Sequence, residues 1–184
     1  MNKSWWIALA VVAVVVIYGW SGYNSFVAQN EAIDGQWAQV ETQYQRRFDL
    51  IPNLVESVKG IMTQEQEVFG KLADARSKYS GAASANEKAV AAGEVESALS
   101  RLLVVMENYP QLRSAEAVTT LMSQLEGAEN RVSVERARYN DSVKVFNSSV
   151  KTFPNNVLAS IFSFAERTYF EATTGAEKAP EVKF

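Results

Sequence analysis

Carboxylates are the side chains of this sequence that come nearest to chemistry. Glu65, Glu67, Glu126 and Glu129 lie in closely spaced pairs on stretches with helical patterning. A helical bundle can hold two metal ions in such a cage, but the cage normally includes Glu-x-x-His pairs. The chain contains no histidine and no cysteine. The usual general base, the common zinc ligands and the thiol nucleophile are therefore missing. Ser57, Ser100 and Ser133 have no activating base in sequence reach, and no glycine-rich loop offers to cradle a phosphate. The expectation is a protein with no catalytic, cofactor-binding or metal-binding residues and no cofactor; an enzyme working with carboxylates alone is the residual alternative.

Two segments carry features suited to contact rather than catalysis. In Arg46-Arg47-Phe48-Asp49-Leu50-Ile51-Pro52, paired charges, an apolar seam and a proline coincide. Proline inside a helix deletes one backbone donor and crowds the preceding turn, so a bend is expected near Phe48. Arg46, Arg47, Asp49 and Pro52 are the partner-binding candidates there, against the plainer reading of an ion pair beside a kink. The second segment is the ending Val182-Lys183-Phe184. Its alternating apolar residues, Val182 and Phe184, suit addition to a sheet edge with capture of the terminal carboxylate, against the plainer reading of a loose end.

Helices must position these residues. Apolar side chains recur at Ile33, Trp37, Val40, Tyr44, Phe48, Ile51, Leu54 or Val55, Val58, Ile61 or Met62, then Val68 or Phe69 and Leu72. Steps of three and four are the spacing of a helix that buries a narrow seam, so one long helix is predicted to reach about Tyr79, with its seam weakest over Gln64 to Glu67. Ser84 and Glu87 form a capping box that opens a second helix, and Pro110 ends it. The spacing returns from Val118 to Phe153, interrupted by Glu129, Asn130, Glu135 and Arg136. These polar groups should pair with one another or with Arg46, Arg47 and Asp49. A short fourth helix with an apolar face from Val157 to Phe170 follows the break at Phe153-Pro154-Asn155.

From Trp5 to Tyr23 there is no charged residue. About 20 apolar residues suffice to cross a bilayer as a helix, and Trp5, Trp6, Tyr18, Trp20 and Tyr23 stand where aromatic rings settle at the two water interfaces. A retained anchor fits better than a cleaved secretory signal, because Tyr18 and Trp20 put bulky rings where a peptidase needs small side chains. The cationic flank is Lys3 with the amino terminus, whereas Glu31, Asp34 and Glu41 follow the span. Positive charge marks the cytoplasmic side, so the body is expected outside the cytoplasm. A net charge of −3 with interspersed signs gives no field for nucleic acid.

The run from Tyr44-Gln45-Arg46-Arg47 through Ile51-Pro52-Asn53-Leu54 to Val58-Lys59-Gly60 closely resembles the LemA family of bacteria. So do Leu125-Glu126, Glu129-Asn130-Arg131, Tyr139-Asn140, Phe146-Asn147, Phe153-Pro154 and the ending Pro180-Glu181-Val182-Lys183-Phe184. The resemblance implies a span followed by a helical bundle and does not imply an activity. Family members similar to this one are found beside membrane metalloproteases, and a related branch contributes to shaping magnetosome membranes.

Together these readings predict an all-α chain, an N-terminal transmembrane helix followed by a long-helix up-and-down four-helix bundle. Its expected organisation is a flank over 1–4, an anchor over 5–23, a bundle over 24–171 and a flexible tail over 172–184. The expected role is a scaffold or adaptor for other membrane proteins, a metalloprotease among them, in the bacterial inner membrane with the bundle on the periplasmic side. The alternative is a self-assembling, homo-oligomeric membrane organiser.

Overall fold

The computed structural model describes residues 3–113 and 115–170. The chain is all-α. Its helices are α1 (Lys3–Lys59), α2 (Gln66–Gly81), α3 (Ala85–Met106), the single turn α4 (Pro110–Arg113), α5 (Glu116–Lys151) and α6 (Asn155–Ile161). The described residues divide into two compact units, one from 3–38 and 137–169, the other from 39–113, 115–136 and 170.

In the second unit, α1, α2, α3 and α5 form a four-helix bundle. Val40, Tyr44, Phe48, Ile51, Leu54 and Val58 are buried on α1, together with Leu72 and Tyr79 on α2, Val95, Leu99 and Leu102 on α3, and Leu125 and Val132 on α5. The expected single helix to Tyr79 is instead two. It stops at Lys59, and the backbone N–H groups of Ile61 and Met62 both bond to the carbonyl of Val58. The chain then reverses into α2. A continuous helix would hold Tyr44 and Tyr79 about 50 Å apart at 1.5 Å per residue, yet their rings stand 5.8 Å apart and Tyr79 meets Phe48 edge-on at 4.6 Å. Met62, in the turn, is fully buried, so the apolar spacing continues through a break in the helix. The turn between α3 and α4 is tied to the start of α2 by the Tyr109 hydroxyl, which donates to Glu65 at 3.2 Å.

The capping box at α3 forms as expected. The Ser84 hydroxyl accepts from the Glu87 N–H at 3.2 Å, and the Glu87 carboxylate accepts from the N–H groups of Ser84 and Ala83 at 3.1 and 2.9 Å. These bonds satisfy donors a helix start leaves open, and they hold the Glu87 carboxyl below the usual range. Val90, in the second turn of this helix, is exposed.

In the first unit, α1 meets the end of α5, α6 and the segment 162–169. Phe26 and Phe146 are fully buried, with Phe164 against both at 5.1 and 6.4 Å and Tyr23 against Phe162 at 5.1 Å. A Cβ on Gly22 would lie 2.5 Å from Leu158 Cδ1, so the glycine allows α6 its close approach. The fourth helix was expected to carry its apolar face to Phe170 but ends at Ile161. Ser163 adopts φ 59, and the Phe164 N–H returns to the Ala159 carbonyl at 2.9 Å. Beyond it the chain is irregular, and the buried Asn147 side chain takes over the role of a helical ladder: it donates to the Arg167 carbonyl and accepts from the Arg167 N–H, both at 2.8 Å. The Arg167 guanidinium in turn donates to Asn30 at 3.1 Å and pairs with Asp34.

Each hydrogen bond contributes about 1 kcal/mol net, and stranded buried groups cost more. Asn147→Ala is therefore expected to loosen segment 162–169 by about 2 kcal/mol, roughly a 30-fold rise in its local opening. Hydrogen exchange of residues 164–169, faster in the variant while α2 and α3 are unchanged, checks it.

Candidate functional site

Arg47 occupies a seam position of α1, since Val40, Tyr44, Arg47, Ile51, Leu54 and Val58 follow the three-and-four spacing of a core face. On α5 the same spacing runs Leu125, Glu129, Val132, Arg136, Tyr139, and on α3 it runs Ala92, Glu96, Leu99. Packing these helices together brings four charges into one place. Arg47 Nη1 lies 3.3 Å from Glu96 and also pairs with Glu129, while Arg136 pairs with Glu96 at 2.5 Å. Arg136 Nε donates to the Tyr44 hydroxyl at 2.8 Å. Its guanidinium carbon stands 5.3 Å from the Tyr44 ring centre and 4.9 Å from that of Phe170, the range of cation–π contact.

Two guanidinium and two carboxylate groups cancel in formal charge. Tyr44 is fully buried and Arg47 nearly so, whereas Glu129 keeps 40% of its side chain exposed. Burial pushes the Glu96 carboxyl above the usual range despite Arg136 and Arg47 beside it, and burial likewise raises the Tyr44 hydroxyl well above an ordinary tyrosine. Nearby, burial takes the Tyr79 hydroxyl up to about 12. Burial would lower Arg136, but Tyr44 and Glu96 outweigh it and hold the guanidinium above its usual value. The cluster is thus a largely buried ion network, open to solvent at Glu129. Networks of this kind set helix register, and removing one partner leaves an uncompensated charge at about 3–5 kcal/mol.

The residues singled out in the sequence are dispersed. Arg47 is in the network, paired with Glu129 as the interrupted seam suggested. Arg46 is exposed, and so is Asp49, which accepts from Gln45 one turn earlier at 2.7 Å. Pro52 is half-buried inside α1, which continues through it. Val182 and Phe184 lie outside the described residues. Of the four glutamates weighed as a metal cage, Glu65 accepts from Tyr109, Glu67 pairs with Lys71, Glu126 is exposed and Glu129 pairs with Arg47. Among the described residues no three His, Cys, Asp or Glu side chains converge. Sequence reasoning missed Glu96 and the Tyr44 hydroxyl. The Glu96 signal was its place between Ala92 and Leu99 at helical spacing.

The sequence profile of the LemA family matches residues 36–184. The chain belongs to the LemA family. All four charges and Tyr44 fall inside the matched region. The LemA-family chain is also 26% identical to magnetosome proteins MamQ 1 and MamQ 2 of Paramagnetospirillum magneticum, over 89% of its own length and 72% of theirs. It is 26% identical to magnetosome protein MamQ of Magnetospirillum gryphiswaldense, over 80% of its length and 64% of that relative's.

A carboxyl whose pKa is higher in the folded than in the unfolded chain binds protons more readily when folded. Its ionisation costs stability as pH rises from the ordinary 4.5 to the raised folded value, and the cost is relieved below that window. The stability of the native chain relative to Glu96→Gln should therefore fall with rising pH across this window and level off above it. Thermal unfolding of both proteins in mild detergent from pH 4 upward measures this; a pH-independent offset contradicts it.

Proposed function

We propose that this LemA-family chain is a non-catalytic scaffold, anchored in the bacterial inner membrane by the first part of α1, that holds its bundle on the periplasmic side for other membrane proteins to bind. The observation that carries the reading is the state of that helix. From Trp5 to Ile17 the large apolar side chains are exposed, between 57% and 74%. Among the described residues α1 is the one helix long and apolar enough to cross a membrane. Leaving such a surface in water is costly at about 25 cal/mol per Å², and lipid removes that cost while the helix satisfies its own backbone. Confinement to the membrane plane raises the effective concentration of any neighbouring membrane protein, so modest contacts suffice for association. A membrane metalloprotease is one such neighbour.

The second reading is self-assembly into a homo-oligomer that organises or shapes the membrane. The magnetosome names of the relatives favour it.

The full chain should stay with membranes through high-salt and alkaline washing, and the chain lacking residues 1–23 should move to the soluble fraction. Crosslinking in intact cells followed by mass spectrometry should then return adducts with other membrane proteins. A ladder of homo-oligomers alone would favour the second reading, and recovery of the full chain in the soluble fraction would contradict both.

A further inference from the structure

The anchor reading leaves a second apolar surface unexplained. From Thr152 to Ala165 the chain again has no charged residue, with Lys151 and Glu166 at its two ends. These two form an ion pair at 2.8 Å that closes the base of the loop. Within it, Val157 and Ile161 lie one turn apart on one face of α6 and are 50% and 66% exposed, and Phe153, in the turn before the helix, is 78% exposed. Ala159, on the opposite face, is 2% exposed. The helix therefore turns Leu158 and Ala159 inward and presents Val157 and Ile161 outward.

Its location says what covers that face. The Tyr18 hydroxyl donates to Asn155 Oδ1 at 2.7 Å, and Leu158 packs on Gly22. Tyr18 and Gly22 belong to the last two turns of the apolar stretch 5–23 of α1, and about 20 residues from Ser4, the length of a span, end at Tyr23. The exposed rings of Tyr18, Trp20 and Tyr23 occupy the same level, where aromatic side chains mark the boundary of a bilayer. Helix α6 is thus fastened to α1 at the depth where headgroups give way to acyl chains. An apolar helix face lying in that plane gains from burial in the boundary region in proportion to its apolar area.

We propose that α6 and the turn before it form a second, interfacial membrane contact, with Phe153, Val157 and Ile161 inserted in the outer edge of the lipid around the α1 span. The proposal rests on the anchor reading. The bilayer contact is one of apolar insertion, since the loop carries no cation of its own and Lys151 is committed to Glu166. Together, span and α6 give the first unit two points of attachment, which limits its rotation about the axis of α1.

The absence of cysteine from the chain makes single-site labelling direct. Full-length Val12→Cys, Val157→Cys, Ile161→Cys and Asp141→Cys variants, each carrying a nitroxide, are reconstituted in phosphatidylcholine–phosphatidylglycerol vesicles. Collision with oxygen, which concentrates in lipid, is compared with collision with a water-soluble nickel chelate. The expected result is an oxygen-to-nickel ratio several times higher at 157 and 161 than at 141, and highest at 12. A lipid signature at 12 with an aqueous one at 157 and 161 overturns the α6 contact and leaves the anchor standing. An aqueous signature at 12 removes the anchor and this proposal with it. Shielding of 161 from both reagents with spin–spin broadening assigns the face to a second copy and overturns the lipid contact.

Discussion

One helix, α1, carries the governing constraint: its first and later turns present apolar side chains in two different ways. The first turns of α1 present large apolar side chains all round, and the later turns bury a stripe of them every third or fourth residue. A backbone in hydrocarbon has no water to bond with and must meet its own hydrogen-bonding needs. A helix does so, and α1 continues without interruption from Lys3 to Lys59. No linker separates the apolar stretch from the stretch packed against α5, α6 and segment 162–169. Within the first unit the apolar stretch is therefore joined to the packed part by a helical backbone and by the contacts of Tyr18, Gly22, Tyr23 and Phe26.

The remaining stability is of two kinds. Apolar burial along the seams is the larger, with Val40, Tyr44, Leu54, Val58, Met62, Leu102, Val132 and Val143 all removed from solvent. The polar contributions differ by burial. Exposed pairs such as Lys71 with Glu67 and Lys78 with Glu94 are screened by solvent and contribute little. The network of Arg47, Glu96, Glu129 and Arg136 is a different matter, because its ions are costly to bury and costlier to separate. It penalises any shift of α3 or α5 along α1 that would strand a charge, which makes it a device for register rather than for strength.

Much of the fold was legible in the sequence, for identifiable reasons. The seam spacing located α1 and α5, and the Ser84 and Glu87 pair located the start of α3 because both halves of a capping box are local. The same spacing hid the break after Lys59: Met62 and Leu72 keep the period while the chain turns, and the signals left were Gly60 and the weak seam over Gln64 to Glu67. The end of α6 was hidden because its successor, Phe164, is as apolar as a helical face would be, and the choice was made by Asn147, a residue distant in sequence. Of the polar residues, Glu129 was expected from an interrupted seam to pair with its polar neighbours or with Arg46, Arg47 or Asp49, and it pairs with Arg47. Glu96 was not, because one glutamate among exposed ones carries no mark until α3 is docked. Arg46 and Asp49, which shared the same motif, turned out to face solvent.

The central claim is that α1 passes from bilayer to body as one rigid helix. Hydrogen exchange of the full-length protein in lipid nanodiscs, read peptide by peptide along residues 5–40, tests it most directly. The account predicts continuous protection across residues 18–30, with no gap between the apolar stretch and the packed one. Rapid exchange confined to residues 18–30 would reveal a flexible joint, and rapid exchange from residue 5 onward would mean that no lipid surrounds the helix; either would contradict it.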